Sequence, residues 1–597
     1  MMLGSLVVAS CILTSTSAYT WPSPQYDALE KFLYEGVDIN GAPVGTITRG
    51  CTKRGNIGPQ NQSTVAAEWL RLAYHDMATH NVTDGTGGLD ASIFFELSRP
   101  EDIGSGMSNS LNDFQLSASK YVSRADVIAM GAVWAVASCN GPSIPFRGGR
   151  RDAIGPGRLG VPEPQQDIAS HTESFRLQGF TQTEMISLVA CGHTLGGVRS
   201  ADFPNIVVDK TGLNISTFDT TVSFDTAVVS EYLDSTTTNP LVRVANITLA
   251  SDQRIFNSDG NVTIKGLNSQ SAFFQTCTKL LARMLDTVPS NVTLTDEIEL
   301  LQAKVSSARI TVFKSQLLFD TTLRLSQPTT SNASTPTNRQ VKLFWCDKRG
   351  QLKDCANTTN VASSPANPSV EVSPLTESQK TTFIAYQFSV PILANRSVSK
   401  FWFQVDEGDG SAPIIHDNAG HGYILPQDEI IYALSIGDRT ADLQAGKLTQ
   451  IFTLGAGIRS GSNLTRAQIH ASDYSFRGSG TLVNTTVDLR RNTTQFLADG
   501  YDAYTARVET TGNALHMDLE VIIDGVSYVD DYISAENLID QPGPLSSVTN
   551  MTTTSTSAAP GNTAHTASSA LLIHPPPLVH LAILAILSSL LSLRSLL

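Results

Sequence analysis

The sequence predicts a mainly helical domain followed by a β-rich domain that we expect to be a sandwich. Up to about residue 290, apolar residues recur at helical spacing in STVAAEWLRLAYHDM, SRADVIAMGAVWAVASC, TQTEMISLVACGHTLG and SAFFQTCTKLLARMLDTV. Beyond that point, segments such as TTFIAYQFSVPIL and MDLEVIIDGVSYVDD are rich in β-branched and aromatic residues and alternate in polarity. A chain of 597 residues is too long for a single core. We therefore place the helical domain at residues 19–295 and the β-rich domain at residues 296–540.

Two local signals refine this division. The segment ASHTESFRLQGFTQTEMISLVACGHT predicts two helices separated by a turn at Gly179 and Phe180, with Thr181 as the N-cap of the second helix. Asp524 and Gly525 stand between two alternating runs, which predicts a β-hairpin.

Both ends of the chain have the composition of targeting segments. Residues 1–18 form an apolar run that ends in small residues, which predicts a secretory signal peptide. A Ser/Thr-rich stalk over residues 541–569 precedes an apolar tail over residues 570–597, which predicts a glycolipid (GPI) anchor signal. We expect attachment at Asn562, with Gly561 or Ser568 as alternatives. A transmembrane helix is the competing interpretation, but Arg594 within the tail favours the anchor.

Composition agrees with an exported protein. The formal net charge of -14 argues against a nucleic-acid partner, which needs basic surface. Thirteen Asn-x-Ser/Thr sequons favour a secreted glycoprotein. Of the seven cysteines, six follow the signal peptide and can form three disulfides. Cys346 and Cys355 are expected to close one hairpin of the β-rich domain.

The segment RLAYHDMATHNVTDGTGGLDAS carries the strongest chemical signal. Arg71 and His75 are four residues apart on a predicted helix and therefore share a face. A neutral imidazole can move a proton between the two oxygens of a bound peroxide, and a guanidinium can stabilise the negative charge that develops. His193, near the end of another predicted helix, is a candidate axial ligand of a haem iron, and Asp252 is the candidate acceptor of its other N–H.

Together these motifs resemble the haem peroxidase superfamily of plants, fungi and bacteria, most closely the secreted fungal peroxidases of the ligninase type (class II). The matching motifs span roughly residues 45–285: RLAYHD, GGLDAS, VSRADVIAM, FRGGRRD, ACGHTLGG and the Ser-Asp pair that ends at Asp252. The resemblance implies a two-lobed helical bundle that encloses one haem b.

The resemblance also implies individual roles around the haem. Arg71 and His75 would be the distal pair, and Tyr74 would hold the aromatic position above the haem. His193 would be the proximal iron ligand and Asp252 its hydrogen-bond partner.

Two positions near this pair depart from family members. The family usually orients its distal histidine with an asparagine, whereas Asp102 stands at the corresponding place here. An ionised Asp102 is expected to make His75 more basic. Phe218 stands where some relatives carry a tryptophan, which favours an oxidising equivalent on the porphyrin.

The family binds two calcium ions, and the sequence has candidates for both sites. The distal set is Asp76, the Gly88 carbonyl, Asp90 and Ser92, and the proximal set is Thr194, Asp219, Thr221 and Asp225. The proximal segment is one residue shorter than in the close fungal relatives. A disulfide between Cys51 and Cys139 also matches these relatives. The remaining pair, Cys191 and Cys277, either forms a bridge or stays as buried thiols.

Further departures narrow the expected activity. Leu188 stands where lignin-oxidising relatives carry a surface tryptophan. Of the three manganese-binding carboxylates only Glu68 is present, since Thr64 and Arg199 occupy the other two positions. The sequence therefore predicts a monomeric peroxidase that uses hydrogen peroxide to oxidise small phenolic or aromatic donors at the haem edge.

The alternative is a GPI-anchored cell-wall or adhesion protein that uses the peroxidase fold as a scaffold with little turnover.

Two other histidines of the helical half, His80 and His171, are expected at the surface.

Overall fold

The computed structural model describes residues 21–550 except 52, 55–63, 116, 210, 212–213, 330–337, 357–358, 364–367, 445–446, 475–481, 513–514 and 536–547. The predicted signal peptide, the attachment site Asn562 and the apolar tail lie outside the described residues. Within the described part of the chain, no helix is both long and apolar enough to cross a membrane.

Helices dominate the chain up to residue 285, as the sequence predicts. They are α1 Pro24–Glu35, α2 Val65–Met77, α3 Ser105–Phe114, α4 Arg124–Ser138, α5 Ile168–Leu177, α6 Gln182–Gly192, α7 Ala227–Leu233, α8 Pro240–Arg243, α9 Ser251–Phe256, α10 Val262–Gly266 and α11 Gln270–Leu285. A short strand pair, β1 Gly197–Arg199 and β2 Ile215–Thr217, lies between α6 and α7.

Capping residues fix where the central helices begin. Ser123 and Thr181 each accept a hydrogen bond from the backbone N–H three residues later, and Asp126 and Glu184 complete capping boxes for α4 and α6. The predicted N-cap at Thr181 is thus confirmed. Helix α4 is almost entirely buried and packs against α2, so the core of the helical part surrounds the helix that carries Arg71 and His75.

Strands dominate after residue 300, which confirms the β-rich prediction. They are β3 Ala303–Phe313, β4 Gln316–Pro328, β5 Gln340–Cys346, β6 Asn360–Ser363, β7 Ser369–Glu371, β8 Thr381–Ile392, β9 Lys400–Asp406, β10 Ile414–His416, β11 Tyr423–Ile424, β12 Ile430–Tyr432, β13 Asp438–Gln444, β14 Lys447–Arg459, β15 Leu464–Tyr474, β16 Leu482–Asp488, β17 Arg490–Arg491, β18 Tyr501–Thr510, β19 His516–Ile523, β20 Val526–Ser534 and β21 Val548–Asn550. The short helix α12 Pro374–Ser378 lies between β7 and β8.

The strands form three larger sheets. The first has the order β10-β9-β5-β6-β21 with β11 on β9, and the second has the order β17-β18-β14-β12-β3-β4-β8-β7 with β13 on β14. The third has the order β16-β15-β19-β20. Pairing is antiparallel except between β12 and β3. Strands β19 and β20 pair from Ile523 and Val526 across Asp524 and Gly525, both at positive φ, which confirms the predicted hairpin.

The second sheet lies between two apolar layers, because its side chains alternate across it. Phe319 and Ile431 pack in a core shared with Phe403 of the first sheet. Tyr432 and Phe452 pack in a second core with Leu519 and other residues of the third sheet. The β-rich part is therefore a layered sandwich of three sheets.

The helical and β-rich parts share buried contacts. Ile298, Leu375, Phe383 and Tyr474 all pack within the core of the helical part. A buried ion cluster also joins the two parts, with Arg324 of β4 paired to Glu30 and Glu35 of α1, and Lys304 of β3 paired to Glu30.

All six cysteines after the predicted signal peptide are paired. The disulfides are Cys51–Cys139, Cys191–Cys277 and Cys346–Cys355. The first ties the segment before α2 to the end of α4, the second ties α6 to α11, and the third closes the loop after β5.

Candidate active site

A cavity of about 540 Å³ lies in the helical part, and residues of α2 and α6 border it. Its lining includes Arg71, Tyr74, His75, Leu188, His193 and Phe218. This volume falls in the range of cavities that hold organic cofactors and other small molecules. The structure thus brings the predicted distal and proximal residues to one cavity.

The distal side is built on the last turns of α2, which place Arg71, Tyr74 and His75 at neighbouring positions. His75 is buried, and its Nδ1 lies 2.9 Å from Asp102 Oδ1. Because a carboxylate can only accept, the proton of neutral His75 is assigned to Nδ1, and Nε2 keeps its lone pair. Arg71 donates from Nη2 to the Ile103 carbonyl at 2.9 Å, which fixes the guanidinium beside the cavity.

Electrostatics keep His75 neutral. Burial, together with the charge of Arg71, holds the pKa of His75 well below its usual value. Burial also raises the pKa of Asp102 to about 6, although Arg99 and Arg71 oppose the rise. That direction is the net result of desolvation of the imidazole and the Arg71 cation, and the expectation that an ionised Asp102 makes His75 more basic than a neutral partner would stays a prediction. Burial lowers the pKa of Arg71 to about 10, so it remains a cation at neutral pH.

The proximal side is built where α6 ends. His193 is the C-cap residue of α6, and its Nδ1–H donates to Asp252 Oδ2 at 2.7 Å. The Phe218 ring stacks on the imidazole with 4.2 Å between centroids and 8° between planes. Because Nδ1 is engaged and the ring plane is fixed, Nε2 of His193 is the nitrogen available to a ligand in the cavity.

These residues fit a haem. The imidazole of His193 offers one free nitrogen, its other nitrogen is held by a buried carboxylate, and apolar side chains such as Leu188, Val189 and Leu195 border the same cavity. His75 and Arg71 supply a base and a cation in the same space.

Asn239 is a contact of this site that sequence reasoning missed. Its Nδ2 donates to Asp252 Oδ2 at 2.7 Å, the same oxygen that accepts from His193. The available signal was the Asn-Pro pair, since Asn before Pro is typical of a helix N-cap.

The distal calcium candidates come together in one loop. Asp76 accepts from the backbone N–H groups of Ala91 and Ile93 at 2.7 and 3.0 Å, which holds the Asp90–Ser92 segment against the end of α2. Burial and the charge of Asp90 raise the pKa of Asp76 well above its usual value. Ser92 Oγ is buried with no hydrogen-bond partner among the described residues. Two crowded carboxylates and an orphaned hydroxyl suit a hard cation.

The proximal calcium candidates also come together, despite the shorter segment. Thr194 Oγ1 donates to the Asp225 carbonyl at 2.7 Å, and Thr221 Oγ1 lies 3.2 Å from Asp219 Oδ1. Asp219 Oδ2 is buried and has no hydrogen-bond partner in the described structure, and burial raises the pKa of Asp219 to about 7. Each calcium set holds two carboxylates, and no group of three or more His, Cys, Asp or Glu side chains in the described residues is arranged for a metal ion.

Three positions that bear on specificity have defined surroundings. Tyr74 donates from its hydroxyl to Gln178 Oε1 at 3.3 Å, and burial raises its phenol pKa. Leu188 is buried and borders the cavity, so this position is not a surface site. Glu68 is paired with both Arg54 and Arg199.

The expectation that His171 lies at the surface is corrected. His171 is only 1 % exposed, and its Nε2 lies 3.0 Å from the Glu163 carbonyl, so it belongs to the interior. His80 is half-buried, with Nδ1 2.9 Å from the Gly87 carbonyl. Both lie on helical or loop segments whose burial depends on tertiary packing, which sequence periodicity does not report.

The candidate site lies within a segment that is similar to known proteins. A model of the peroxidase family matches residues 56–268. A WSC domain-containing protein of Arthroderma benhamiae is 35% identical over 392 residues, which cover 64% of this chain and 52% of that protein. Putative L-ascorbate peroxidase 6 of Arabidopsis thaliana is 37% identical over 143 residues, 23% of this chain and 43% of that protein. Lignin-forming anionic peroxidase of Nicotiana tabacum is 27% identical over 255 residues, 36% of this chain and 76% of that protein.

The fold and the cavity define a helical domain in which two histidines from different helices border one cavity. With the family match, residues 56–268 form a peroxidase domain, and this part of the chain belongs to the haem peroxidase superfamily. The chain spans about half of the length of the first two relatives named above.

Proposed function

We propose that this protein is a secreted haem peroxidase that uses hydrogen peroxide to oxidise small phenolic or other aromatic donors in one-electron steps. The main support is that Arg71, His75 and the hydrogen-bonded His193–Asp252 pair border one cavity. Haem held through His193 Nε2 would supply an iron that peroxide oxidises and that two donor molecules reduce in turn. Each turnover then consumes one peroxide and two donors and yields two waters and two donor radicals.

Residues of the chain transfer the peroxide proton and stabilise the charge that develops during the reaction. His75 Nε2 accepts a proton from one peroxide oxygen and returns it to the other as the O–O bond breaks. Asp102 holds the Nδ1–H of His75 and thereby keeps Nε2 free and oriented. Arg71 stabilises the negative charge that develops on the departing oxygen.

The surroundings of Glu68 support a donor that is not manganese. Arg54 and Arg199 neutralise its carboxylate, and Arg199 also donates to Ser105 Oγ. A divalent cation at Glu68 would have to displace two guanidinium groups, which Asp113 and Asp202 also hold in place. The buried Leu188 likewise offers no surface relay for a bulky aromatic polymer. We therefore favour small donors at the haem edge, within the ligninase-type branch of the superfamily.

The proposal also includes two bound calcium ions, export from the cell and a glycolipid anchor. Two calcium ions would brace the ends of α2 and α6, with the sets at Asp76 and Asp219 as their sites. Export through residues 1–18 and a glycolipid anchor at Asn562 would hold the enzyme at the plasma membrane or cell wall as a monomer.

The ultraviolet–visible spectrum of the purified, haem-supplied protein tests the enzyme proposal. We expect a ferric Soret band that falls and shifts within seconds of adding one equivalent of peroxide and returns when a phenol is added. His75→Ala should slow the first change by several orders of magnitude, whereas His193→Ala should change the resting spectrum itself. A folded protein that binds no haem would refute the enzyme proposal.

A second candidate function is an anchored cell-wall or adhesion protein with a peroxidase fold and little turnover. The relative named as a WSC domain-containing protein supports this alternative, because its match covers more of the chain than the matches to named peroxidases. The same spectrum discriminates, since a scaffold has no need for a Soret band that responds to peroxide.

A further inference from the structure

Asn239 occupies an unusual place beside the proximal pair. Its side chain is fully buried, and Nδ2 lies 2.7 Å from Asp252 Oδ2. The Nδ1–H of His193 donates to the same oxygen at the same distance. One carboxylate oxygen therefore serves two donors, and the carboxylate itself is buried.

The orientation of the Asn239 amide is fixed by a second bond. Asn239 is the N-cap of α8, and its Oδ1 accepts from the Leu241 backbone N–H at 2.8 Å. A backbone N–H can only donate, so the atom facing it must be the amide oxygen. The NH₂ group consequently faces Asp252. Its backbone N–H is also held, 3.1 Å from Thr237 Oγ1, so the residue is anchored at three atoms.

We propose that Asn239 is a positioning and tuning residue that weakens the pull of Asp252 on the proton of His193. The inference rests on the proposed haem function. A donor on the shared oxygen withdraws negative charge from it, so His193 keeps more of its Nδ1 proton and Nε2 is a weaker electron donor than it would be beside an unshared carboxylate. A haem iron bound by Nε2 is then easier to reduce.

The test separates this role from helix capping. Asn239→Ser keeps a good N-cap residue but is too short to reach Asp252. Asp167→Ser is the matched control, because Asp167 caps α5 through the Ser170 N–H and is exposed. The readouts are the ferric/ferrous midpoint potential and the iron–histidine stretching frequency in the ferrous protein.

We expect Asn239→Ser to lower the ferrous-to-ferric ratio at a fixed applied potential about tenfold, a shift of about 59 mV for a one-electron couple. The stretching frequency should rise as the imidazole donates more strongly. Asp167→Ser should change neither readout. A haem-bound Asn239→Ser variant with the potential and frequency of the parent would overturn the inference while leaving the proposed function intact. A parent protein that binds no haem would instead refute both.

Discussion

Substitution of Asp102 by asparagine tests how the distal base is controlled. Asp102 contacts His75 Nδ1 at 2.9 Å, and its pKa is raised to about 6 by burial, whereas the pKa of His75 is well below its usual value. Between about pH 5 and pH 7, Asp102 therefore changes from acid to carboxylate while His75 stays neutral. A rate change in that window that Asp102→Asn abolishes therefore reports Asp102 and not the loss of a proton from the base.

The hydrogen bond between Asp102 and His75 sets the expected size of the rate change. A carboxylate at hydrogen-bond distance raises the basicity of its partner by about 1–3 pKa units. If about half of this change is expressed in the proton-transfer transition state, the reaction with peroxide should speed up about 3- to 30-fold as pH rises through 6. Asp102→Asn keeps an acceptor for the Nδ1–H but cannot ionise, so its rate should be level from about pH 5 to pH 8.

Stopped-flow measurement of the peroxide reaction against pH provides the assay. Glu101→Gln is the matched control, because Glu101 precedes Asp102 in the short 3-10 helix Pro100–Asp102 and burial also raises its pKa. Its carboxylate faces the Gly160 backbone N–H and not His75. This variant should keep the rise near pH 6. An equal rise in Asp102→Asn would refute the reasoning and assign the titration to another group.

The free energy of unfolding should also depend on the protonation of Asp102, in a direction that its raised pKa defines. The folded protein holds the Asp102 proton more tightly than the unfolded chain, because the pKa rises from 3.8 to about 6. The resulting contribution of about 3 kcal/mol is present below pH 3.8 and is lost as pH rises through 6. Asp102→Asn should remove this loss, so urea denaturation at pH 4 and pH 7 should show a smaller difference than in the parent.

Three further outcomes are expected. Tyr474→Phe removes a 2.9 Å hydrogen bond to Asp152 across the junction of the two parts and should lower the free energy of unfolding by about 1–2 kcal/mol in urea titrations, with an unchanged m-value. Arg324→Met deprives Glu35 of its buried ion pair and should cost about 3–5 kcal/mol, whereas a loss below 1 kcal/mol would show that the cluster is not rigidly buried. Removal of calcium with a chelator should lower the thermal midpoint, and Ser92→Ala should weaken the rebinding seen by calorimetry; no change on chelation would refute the calcium proposal.

Sequence patterns predicted what depends on local spacing. The helical period placed Arg71 and His75 on one face of α2, and the Asp-Gly pair predicted the hairpin between β19 and β20. Properties that depend on burial could not be predicted from sequence patterns. The pKa of His75 and the interior position of His171 follow from packing between distant segments, which no periodicity encodes.

Contacts that the sequence missed share another property. Arg199 and Glu68 are 131 residues apart, and Asn239 reaches Asp252 through a turn whose direction is set by a cap. Each residue has an ordinary local explanation, as a surface charge or as a helix start. Only the folded arrangement brings these residues into contact.

The β-rich part bears on how the enzyme proposal must be tested. Leu375, Phe383 and Tyr474 are almost fully buried within the helical core although all three follow residue 296. A fragment that ends at residue 295 would expose the apolar surfaces that these side chains cover and would leave Glu30 and Glu35 without their cationic partners. Failure of such a fragment to bind haem would therefore reflect a damaged core. Only the chain that contains both parts can distinguish a peroxidase from a scaffold with a peroxidase fold.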